Sequence, residues 1–416
     1  MLLSRRVSEL KASSTVAVMN RAKDLARQGV DVLSFAAGEP DFDTPERIKR
    51  AAIDALLAGQ TKYMPTLGDP DTRAAIADKA TRENHIPGVT PEHVGVSSGG
   101  KHALYVIYQC LFDVARPGEP QAEMVLQTPS WVSYAPLAEL AGAKVVEVPT
   151  TAASSFKMSP EQLKAAISPR TRVVMLNSPS NPCGTMYSEP ELRALGGVIA
   201  EAARTTAPDI TVVSDEIYEK IVYGGVPHFS IGSMPEIAER VITVNGLSKA
   251  YAMTGWRVGY TITSGAAGLK FMKAMGTLQG QMTTNITSFV YPAIGIALRE
   301  CASEVETMRR AFAGRAELIY SLVQKIPGLT AARPTGAFYL FPDVSAHFGR
   351  TGPDGRAIRS AQDFCESLLA VQRMACVPGE DFGGCGQNHI RLSFACSEGQ
   401  IEQGMARLGE FVRALR

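Results

Sequence analysis

The sequence lacks three features that would point to a nucleic-acid or membrane protein. Its formal net charge is only +1 over 416 residues, so no basic surface for nucleic acid or anionic lipid is indicated. No apolar run approaches the roughly 20 residues that a membrane-spanning helix needs. The first twenty residues, MLLSRRVSELKASSTVAVMN, hold no long apolar core ahead of a cleavage site, so no signal peptide is expected.

Cysteine is also sparse. The seven cysteines lie at positions 110, 183, 301, 365, 376, 385 and 396, and none forms a CxxC pair. An odd number of scattered cysteines argues against a disulfide framework and against a zinc site. The expectation is therefore a cytoplasmic protein with reduced thiols and no bound metal.

What the sequence does contain is the composition of a globular protein with a core: 45% of the residues are hydrophobic and 20% are charged. Near-continuous apolar runs predict buried strands, as in a parallel sheet covered on both faces. These runs are residues 94–98, 124–129, 144–149, 172–179, 210–216, 241–247 and 257–263. Helix patterns such as DTPERIKRAAIDALLAG (43–59) lie between strands or precede them. This alternation predicts an α/β fold.

After residue 290 the pattern changes. A long amphipathic helix is predicted over 303–326, followed by strand-like pieces at 336–344, 374–379 and 389–395. The sequence thus predicts an N-terminal arm and part of a small domain over 1–44, a large domain over 45–290, and a small α+β domain over 291–416. The arm is too short to fold alone, so we expect it to pack on the C-terminal domain or a partner subunit.

Polar and aromatic residues follow five of the predicted strands. In open α/β sheets ligands bind at the carboxyl ends of the strands, so these residues define a candidate site. They are the SSGGK segment (97–101), Trp131, Asn181, Asp215 with Tyr218, and Lys249.

One cofactor would explain these residues together. A lysine desolvated among small residues can form a Schiff base with an aldehyde, and pyridoxal phosphate needs such a lysine, an acid facing its ring nitrogen and a phosphate cradle. Lys249 and Asp215 suit the first two roles. The SSGGK segment before a helix, with Arg257, suits the phosphate. Taken singly, each residue also fits an ordinary turn, a helix cap, the core or the surface.

Nine stretches spread over the chain make the sequence similar to the class I (fold type I) pyridoxal-phosphate-dependent aminotransferases, in particular the bacterial aspartate aminotransferases. They are FAAGEPDFDTP (35–45), TKYMPTLGDPDTRAAI (61–76), SSGGKHAL (97–104), TPSWVSY (128–134), NSPSNPCG (177–184), SDEIYE (214–219), NGLSKAYAMTGWRVGY (245–260), TGAFY (335–339) and IRLSFA (390–395). The resemblance implies a three-layer α/β/α large domain with a mostly parallel seven-stranded sheet, plus a smaller α+β domain.

The resemblance also implies a role for each matching residue. Lys249 would be the Schiff-base lysine, and Asp215 would face the ring nitrogen. The other assignments are Asn181 and Tyr218 to the phenolate oxygen, Trp131 to the ring face, Arg257 with the backbone of Gly100 and Lys101 to the phosphate, Arg391 to the substrate α-carboxylate, and the Gly38 backbone beside the substrate. Tyr63 would reach the phosphate of a neighbouring subunit, so a homodimer is implied.

Ser13 and Thr15 in the N-terminal arm and Lys101 match residues that bind the distal carboxylate in this subgroup. The predicted reaction is amino transfer from L-aspartate to 2-oxoglutarate by a ping-pong mechanism. Lys11, Thr15 and Lys101 also accompany prephenate amination in the subgroup, so a dual aspartate/prephenate activity stays open, as does a preference for aromatic substrates or alanine. Two alternatives from other classes are a pyridoxal-phosphate lyase on the same fold and a regulator fused to a DNA-binding module; for the latter we expect no room in this chain.

Two positions depart from the family pattern. Cys183 stands where NPTG has threonine, and little effect is expected because Asn181 is kept. Gly246 stands three residues before Lys249, where many relatives have a serine that touches the phosphate. Fewer side-chain hydroxyls are therefore expected in the phosphate site, and more reliance on Arg257 and backbone amides.

Overall fold

The computed structural model describes residues 2–8, 10, 14–116 and 118–416. In these ranges the chain forms thirteen α-helices and twelve β-strands. The helices are α1 (Arg5–Ser8), α2 (Ser14–Arg27), α3 (Glu46–Leu57), α4 (Pro70–Arg82), α5 (Gly100–Leu111), α6 (Tyr134–Leu140), α7 (Pro160–Ala166), α8 (Glu189–Thr205), α9 (Gly265–Gly280), α10 (Tyr291–Glu300), α11 (Ala302–Val323), α12 (Ala361–Gln372) and α13 (Glu398–Ala414). The strands are β1 (Leu33–Ser34), β2 (Val94–Ser97), β3 (Glu123–Thr128), β4 (Lys144–Pro149), β5 (Thr171–Asn177), β6 (Thr211–Asp215), β7 (Val241–Gly246), β8 (Gly259–Ile262), β9 (Tyr339–Leu340), β10 (Met374–Ala375), β11 (Val377–Pro378) and β12 (Ile390–Ser393).

Seven strands form the main sheet in the order β2-β8-β7-β6-β5-β3-β4. All neighbours are parallel except β8, which runs antiparallel to both β2 and β7. The seven strands fall on the seven predicted runs, with ends shifted by a few residues. The predicted mostly parallel, seven-stranded sheet is therefore confirmed.

The sheet is covered by helices on both faces because its strands carry apolar side chains on both. Successive residues of a strand point to opposite faces. On one face Val125, Val174 and Val212 pack with Leu192, Leu195 and Ile199 of α8. On the other face Met124, Val173 and Val213 pack with Leu104, Ile107 and Tyr108 of α5. This arrangement is the expected α/β/α sandwich.

The C-terminal part has its own small antiparallel sheet, in the order β11-β12-β9. Its core includes Phe312, Phe338, Phe364 and Phe411, which come from α11, the segment before β9, α12 and α13. Strand β1 pairs in parallel with β10, so residues 33–34 of the predicted arm lie against the C-terminal part. The domain limits at residues 44 and 290 stay a prediction. Within the described ranges, no helix combines the length and apolarity needed to cross a membrane.

Candidate active site

A cavity of about 510 Å³ opens at the carboxyl ends of β5, β6 and β7. Ten residues singled out from the sequence line it: Gly38, Gly100, Lys101, Trp131, Asn181, Asp215, Tyr218, Lys249, Arg257 and Arg391. The other residues in its wall are Glu39, Tyr134, Asn177, Ile217, Ser248, Thr254 and Tyr339. The fold thus gathers the chemistry-bearing residues of seven separate segments around one space.

The other four residues singled out are not among the described residues of the cavity wall, for different reasons. Tyr63 is 88% exposed and lies outside the wall of the chain's own cavity. Lys11 and Ser13 lie outside the described residues. Thr15 belongs to α2, but its side chain is also outside the described part of the chain.

Lys249 follows β7 and projects its amine into the cavity. Its Nζ donates a hydrogen bond to the carbonyl oxygen of Gly38. Burial lowers the pKa of Lys249 to about 8, and Arg391 pushes in the same direction, while Glu39 and Asp215 oppose the shift. A fraction of this amine is therefore unprotonated near neutral pH, as a nucleophile or proton acceptor requires.

Asp215, the last residue of β6, is buried at the floor of the cavity. Its Oδ2 accepts a hydrogen bond of 2.7 Å from the Tyr134 hydroxyl, and its Oδ1 accepts one of 3.2 Å from the Ile217 amide. Burial nevertheless raises the pKa of Asp215 to about 6. A cationic ligand atom beside this carboxylate would offset the burial penalty and keep it ionised.

Arg391 from β12 is almost fully buried, at 2% exposure. Its Nη1 donates to Asn181 Oδ1 at 3.0 Å, and its Nη2 donates to the Ala36 carbonyl at 2.9 Å. Its Nε has no acceptor among the described residues. The guanidinium also lies 4.7 Å from the Tyr339 ring centroid. A buried, permanently charged group with an unused donor is suited to bind a carboxylate.

The hydroxyls of Tyr218 and Tyr339 form a hydrogen bond of 2.9 Å on the same side of the cavity. Both residues are buried. Burial raises the pKa of each phenol above its usual value, and so both are neutral donors or acceptors at physiological pH. They can hydrogen-bond an oxygen of a ligand without adding charge.

The start of α5 is a candidate anion site. Gly99 has φ of 87° and lies against Arg257, since a Cβ on Gly99 would be 2.4 Å from Arg257 Nη2. On the far side, a Cβ on Gly259 would be 2.4 Å from the Gly100 amide nitrogen. Glycine at these two positions therefore lets the guanidinium approach the N-terminus of α5. The free amides of the first turn and Arg257 together favour a phosphate.

Lys101 lies on the first turn of α5, with its Nζ 4.9 Å from the Trp131 ring centroid. Burial lowers its pKa, and the charge of Arg257 adds to that effect. Trp131 meets Tyr134 edge to face, with centroids 5.2 Å apart. The indole thus contacts both the Lys101 amine and Tyr134, whose hydroxyl binds Asp215.

The two departures from the family pattern have different structural settings. A Cβ on Gly246 would be 2.7 Å from the Val258 carbonyl oxygen and 3.1 Å from the Gly259 Cα, so the pairing of β7 with β8 leaves no space for a serine. Ser248 lines the cavity instead. Cys183 is buried in an apolar cluster with Phe156, Phe341 and Phe382 and does not line the cavity.

Beneath the turn that joins Asp215 to Tyr218, the side chains of Glu216, Glu219 and His228 come within 4.8 Å of one another. Lys79 Nζ donates to one oxygen of Glu219, and Asn84 Nδ2 donates to the other at 2.7 Å. Burial raises the pKa of Glu216 to about 8. The ammonium of Lys79 already supplies the cation here, so the group is an internal ion pair beside a neutral acid.

Sequence reasoning did not single out several residues of the wall. Tyr134 and Tyr339 are the clearest cases, because their hydroxyls bind Asp215 and Tyr218. Tyr134 ends the stretch TPSWVSY and Tyr339 ends TGAFY, so the signal was their place inside motifs. Asn177, Glu39 and Thr254 are likewise polar residues within the quoted stretches, or at a strand end.

A family model, curated relatives and a solved structure that match this chain are described as aminotransferases. The family model described as "Aminotransferase class I and II" matches residues 30–408. The aspartate aminotransferase of Geobacillus stearothermophilus is 41% identical, over 100% of both chains. The aspartate/prephenate aminotransferase of Thermus thermophilus is 42% identical, over 99% of this chain and 98% of its own length. A solved structure of the Thermus thermophilus aspartate aminotransferase with maleate superposes with a TM-score of 0.88 at 40% identity, covering 99% of this chain and 100% of that chain.

Proposed function

Since this chain belongs to the class I and II aminotransferase family, we propose that it transfers the amino group of L-aspartate to 2-oxoglutarate, with pyridoxal 5′-phosphate as its cofactor. The observation that carries the proposal is that one cavity contains both the desolvated amine of Lys249 and the buried guanidinium of Arg391, whose Nε donor is unused among the described residues. The first suits covalent amine chemistry, and the second suits a substrate carboxylate.

The donor set of the cavity fits the cofactor. Lys249 would hold its aldehyde carbon, Asp215 its ring nitrogen, and Asn181 with Tyr218 its phenolate oxygen. The amides of the first turn of α5, Arg257 and Ser248 would hold the phosphate, and Trp131 would lie on the ring face. When bound, the cofactor supplies an electron sink that stabilises negative charge at the carbon bearing the amino group.

The protein's own groups then do the positioning and the proton transfer. Arg391 binds the α-carboxylate and fixes the orientation of the Cα–H bond, while its contact with the Ala36 carbonyl fixes the guanidinium. Lys249 Nζ removes the Cα proton, since its lowered pKa keeps part of it neutral. The resulting ammonium is the acid that returns the proton later in the half-reaction.

A dicarboxylic substrate is supported by the charges in the cavity. Lys101 lines the wall as a second cation besides Arg391, so two carboxylates of one ligand could each meet a positive group. The relatives named aspartate aminotransferases support the same choice, and one of them was solved with maleate, a dicarboxylate. We therefore propose aspartate and glutamate as the amino donors, and oxaloacetate and 2-oxoglutarate as the matching oxo acids.

Amination of prephenate to arogenate is the second candidate. It is favoured by the relatives named aspartate/prephenate aminotransferases, at 42% and 38% identity over nearly the whole chain. Incubating the enzyme with prephenate and aspartate tests it. Formation of arogenate would support the dual activity. If no arogenate forms under conditions in which 2-oxoglutarate is turned over rapidly, prephenate amination is ruled out.

A panel of half-reactions tests the main proposal. The cofactor-loaded enzyme is mixed in turn with aspartate, glutamate, alanine, tyrosine and arogenate, and conversion of the cofactor to its amine form is followed by absorbance. We expect conversion to be fastest with the dicarboxylic amino acids. Full transaminase activity in a Lys249→Ala protein would contradict the mechanism.

We further propose a cytoplasmic homodimer in which Tyr63 completes the neighbouring subunit's site. The exposed position of Tyr63, outside its own cavity, supports this arrangement. The seven cysteines, all free thiols, support a reducing compartment.

A further inference from the structure

The segment from Phe35 to Thr44, here called the strap, joins β1 to α3 without forming a helix or strand of its own. Its backbone meets two catalytic groups. The Gly38 carbonyl accepts from Lys249 Nζ, and the Ala36 carbonyl accepts from Arg391 Nη2 at 2.9 Å. An irregular segment in contact with both the proton-transferring amine and the carboxylate-binding arginine must be fixed by contacts outside itself.

Each end of the strap is attached to a different part of the molecule. At its start, the Phe35 amide and carbonyl bond to Ala375 and Ser393 of the C-terminal strands, each at 2.8 Å. At its end, Thr44 Oγ1 donates to the Ala252 carbonyl at 2.7 Å, three residues after Lys249. Between these ends, Thr254 Oγ1 donates to Glu39 at 2.8 Å.

Asp41 lies between the carbonyls that contact Lys249 and Arg391 and the C-terminal end of the strap, and its carboxylate binds Arg315. Its two oxygens accept from Nη1 and Nη2 of Arg315 at 2.6 and 2.9 Å, which is the bidentate geometry of an arginine–carboxylate pair. Arg315 lies on α11 with its side chain only 11% exposed. Its guanidinium is 5.1 Å from the Phe42 ring centroid and 5.5 Å from that of Phe312.

The two hydrogen bonds from Arg315 fix the orientation of the Asp41 carboxylate as well as its distance from the guanidinium. A planar fork bound at both nitrogens, with aromatic rings against it, admits one orientation of the carboxylate. Asp41 is three residues from Gly38, which is about 10 Å of extended chain at most. A shift of the carboxylate therefore moves the Gly38 carbonyl, and displacement of a catalytic contact by about 1 Å is enough to reduce rates by about 100-fold.

We propose that Arg315, acting through Asp41, is a positioning residue for amino transfer that holds the strap against Lys249 and Arg391. The inference rests on the proposed function, because it assigns to the strap the placement of that reaction's carboxylate site. Arg315 itself is not among the described residues that line the cavity.

The test compares Arg315→Met, Arg315→Lys and Asp41→Asn with Arg310→Met. Arg310 is a matched control on the same helix, since its Nε binds Glu306 at 2.7 Å and its side chain is 76% exposed. Binding of succinate, a dicarboxylate that cannot react, is measured by calorimetry on the cofactor-loaded protein. The KM and kcat for aspartate and the melting temperature are measured in parallel.

We expect Arg315→Met and Asp41→Asn to weaken succinate binding at least tenfold and to raise the KM for aspartate by a similar factor, with a smaller loss in kcat. Arg315→Lys should lie in between, because an ammonium cannot form the fork. The double variant Arg315→Met/Asp41→Asn should be no worse than either single variant. Arg310→Met should stay within twofold of wild type.

Succinate affinity and KM within twofold of wild type in the folded Arg315 and Asp41 variants would overturn the positioning role, even if their melting temperatures fall. If Arg315→Met does not fold, Arg315→Lys and Asp41→Asn decide the question. If wild type turns over aspartate and the variants give the same succinate affinity and KM, only the positioning role is refuted. A wild-type protein that neither binds succinate nor turns over aspartate refutes the proposed function and this inference with it.

Discussion

Burial in one cavity shifts the pKa values of Lys249 and Asp215 in opposite directions. Burial favours the neutral form of each group, which lowers the pKa of the lysine to about 8 and raises that of the aspartate to about 6. Both shifts mean that the folded protein carries charged groups at neutral pH in a place that disfavours them. The cofactor would relieve both, through its aldehyde carbon and its ring nitrogen, so stability and function are coupled at these residues.

The first prediction is that Lys249→Met abolishes amino transfer and stabilises the cofactor-free protein near pH 7. The drop in pKa from 10.5 to about 8 corresponds to on the order of 3 kcal/mol of penalty for the charged form. Between pH 8 and 10.5 Lys249 is more protonated in the unfolded chain than in the folded one, so its own contribution to wild-type stability rises with pH.

The difference between wild type and Lys249→Met should therefore narrow as pH rises through this window. Urea unfolding of both cofactor-free proteins at several pH values measures it. A constant difference across the window would contradict the shifted pKa.

The second prediction concerns the hydroxyl that binds Asp215. Tyr134→Phe removes a hydrogen bond that opposes the burial-induced rise in the pKa of Asp215, so the carboxyl should protonate more readily and hold the cofactor's ring nitrogen less well. We expect about tenfold weaker cofactor binding, equivalent to about 1.4 kcal/mol. The matched control is Tyr187→Phe, another buried tyrosine with a hydrogen-bonded hydroxyl, which donates to Gln127. Equal losses in the two variants would contradict a specific role for Tyr134.

At the scale of elements, the end of the cavity that we propose for the phosphate depends on how closely β7, β8 and α5 approach one another. Gly246 and Gly259 pair across β7 and β8, and Gly259 also lies against the start of α5. The strands themselves could be predicted from their apolar runs to within a few residues. The tight spacing could not, because a glycine in a strand pattern does not reveal which backbone lies over it.

The third prediction follows from this spacing. Gly259→Ala should push the N-terminus of α5 away, because the added Cβ would be 2.4 Å from the Gly100 amide nitrogen. We expect about 1–3 kcal/mol of lost stability and a smaller preference for pyridoxal phosphate over pyridoxal, since only the first carries the phosphate. Gly255→Ala is the control, because its Cβ would meet nothing within 4 Å. An unchanged preference would show that this end of α5 does not hold the phosphate.

At the scale of the whole molecule, the strap connects the C-terminal strands with the segment that follows Lys249. The α/β class and the aminotransferase family could be predicted from the sequence, and both are confirmed. Lys249 and Asp215 line one cavity, as expected from their places at strand ends, and Arg391, which only the resemblance singled out, lines the same cavity. The Arg315–Asp41 pair and the Tyr218–Tyr339 contact could not be predicted, because each joins residues more than 100 positions apart in sequence. Asp41, Tyr218 and Tyr339 lie within quoted stretches, but a motif does not state which distant residue each side chain contacts, so only the folded chain reveals these pairs.

The fourth prediction tests the proposed dimer, in which Tyr63 would serve the neighbouring site. Lys249→Ala and Tyr63→Ala proteins are each expected to be weak or inactive. A hybrid dimer of the two would contain one site with both its own Lys249 and an intact Tyr63 from the other subunit.

Mixing the two proteins under conditions that exchange subunits should therefore restore activity, to about one quarter of the wild-type sites if exchange is random and each dimer has two sites. Wild type mixed with Lys249→Ala is the control for activity lost during the treatment, because each wild-type subunit keeps a complete site with either partner. No recovery despite proven exchange would refute the shared site.

The crowding at Gly246 has a consequence for engineering this enzyme. A serine introduced at position 246 alone would meet the Val258 carbonyl, so a single-site library should score it as harmful. The same serine could become acceptable only after β7 and β8 are moved apart by other changes. The order in which substitutions are combined therefore matters at this site. Testing residues from relatives one at a time will miss combinations that are tolerated only together.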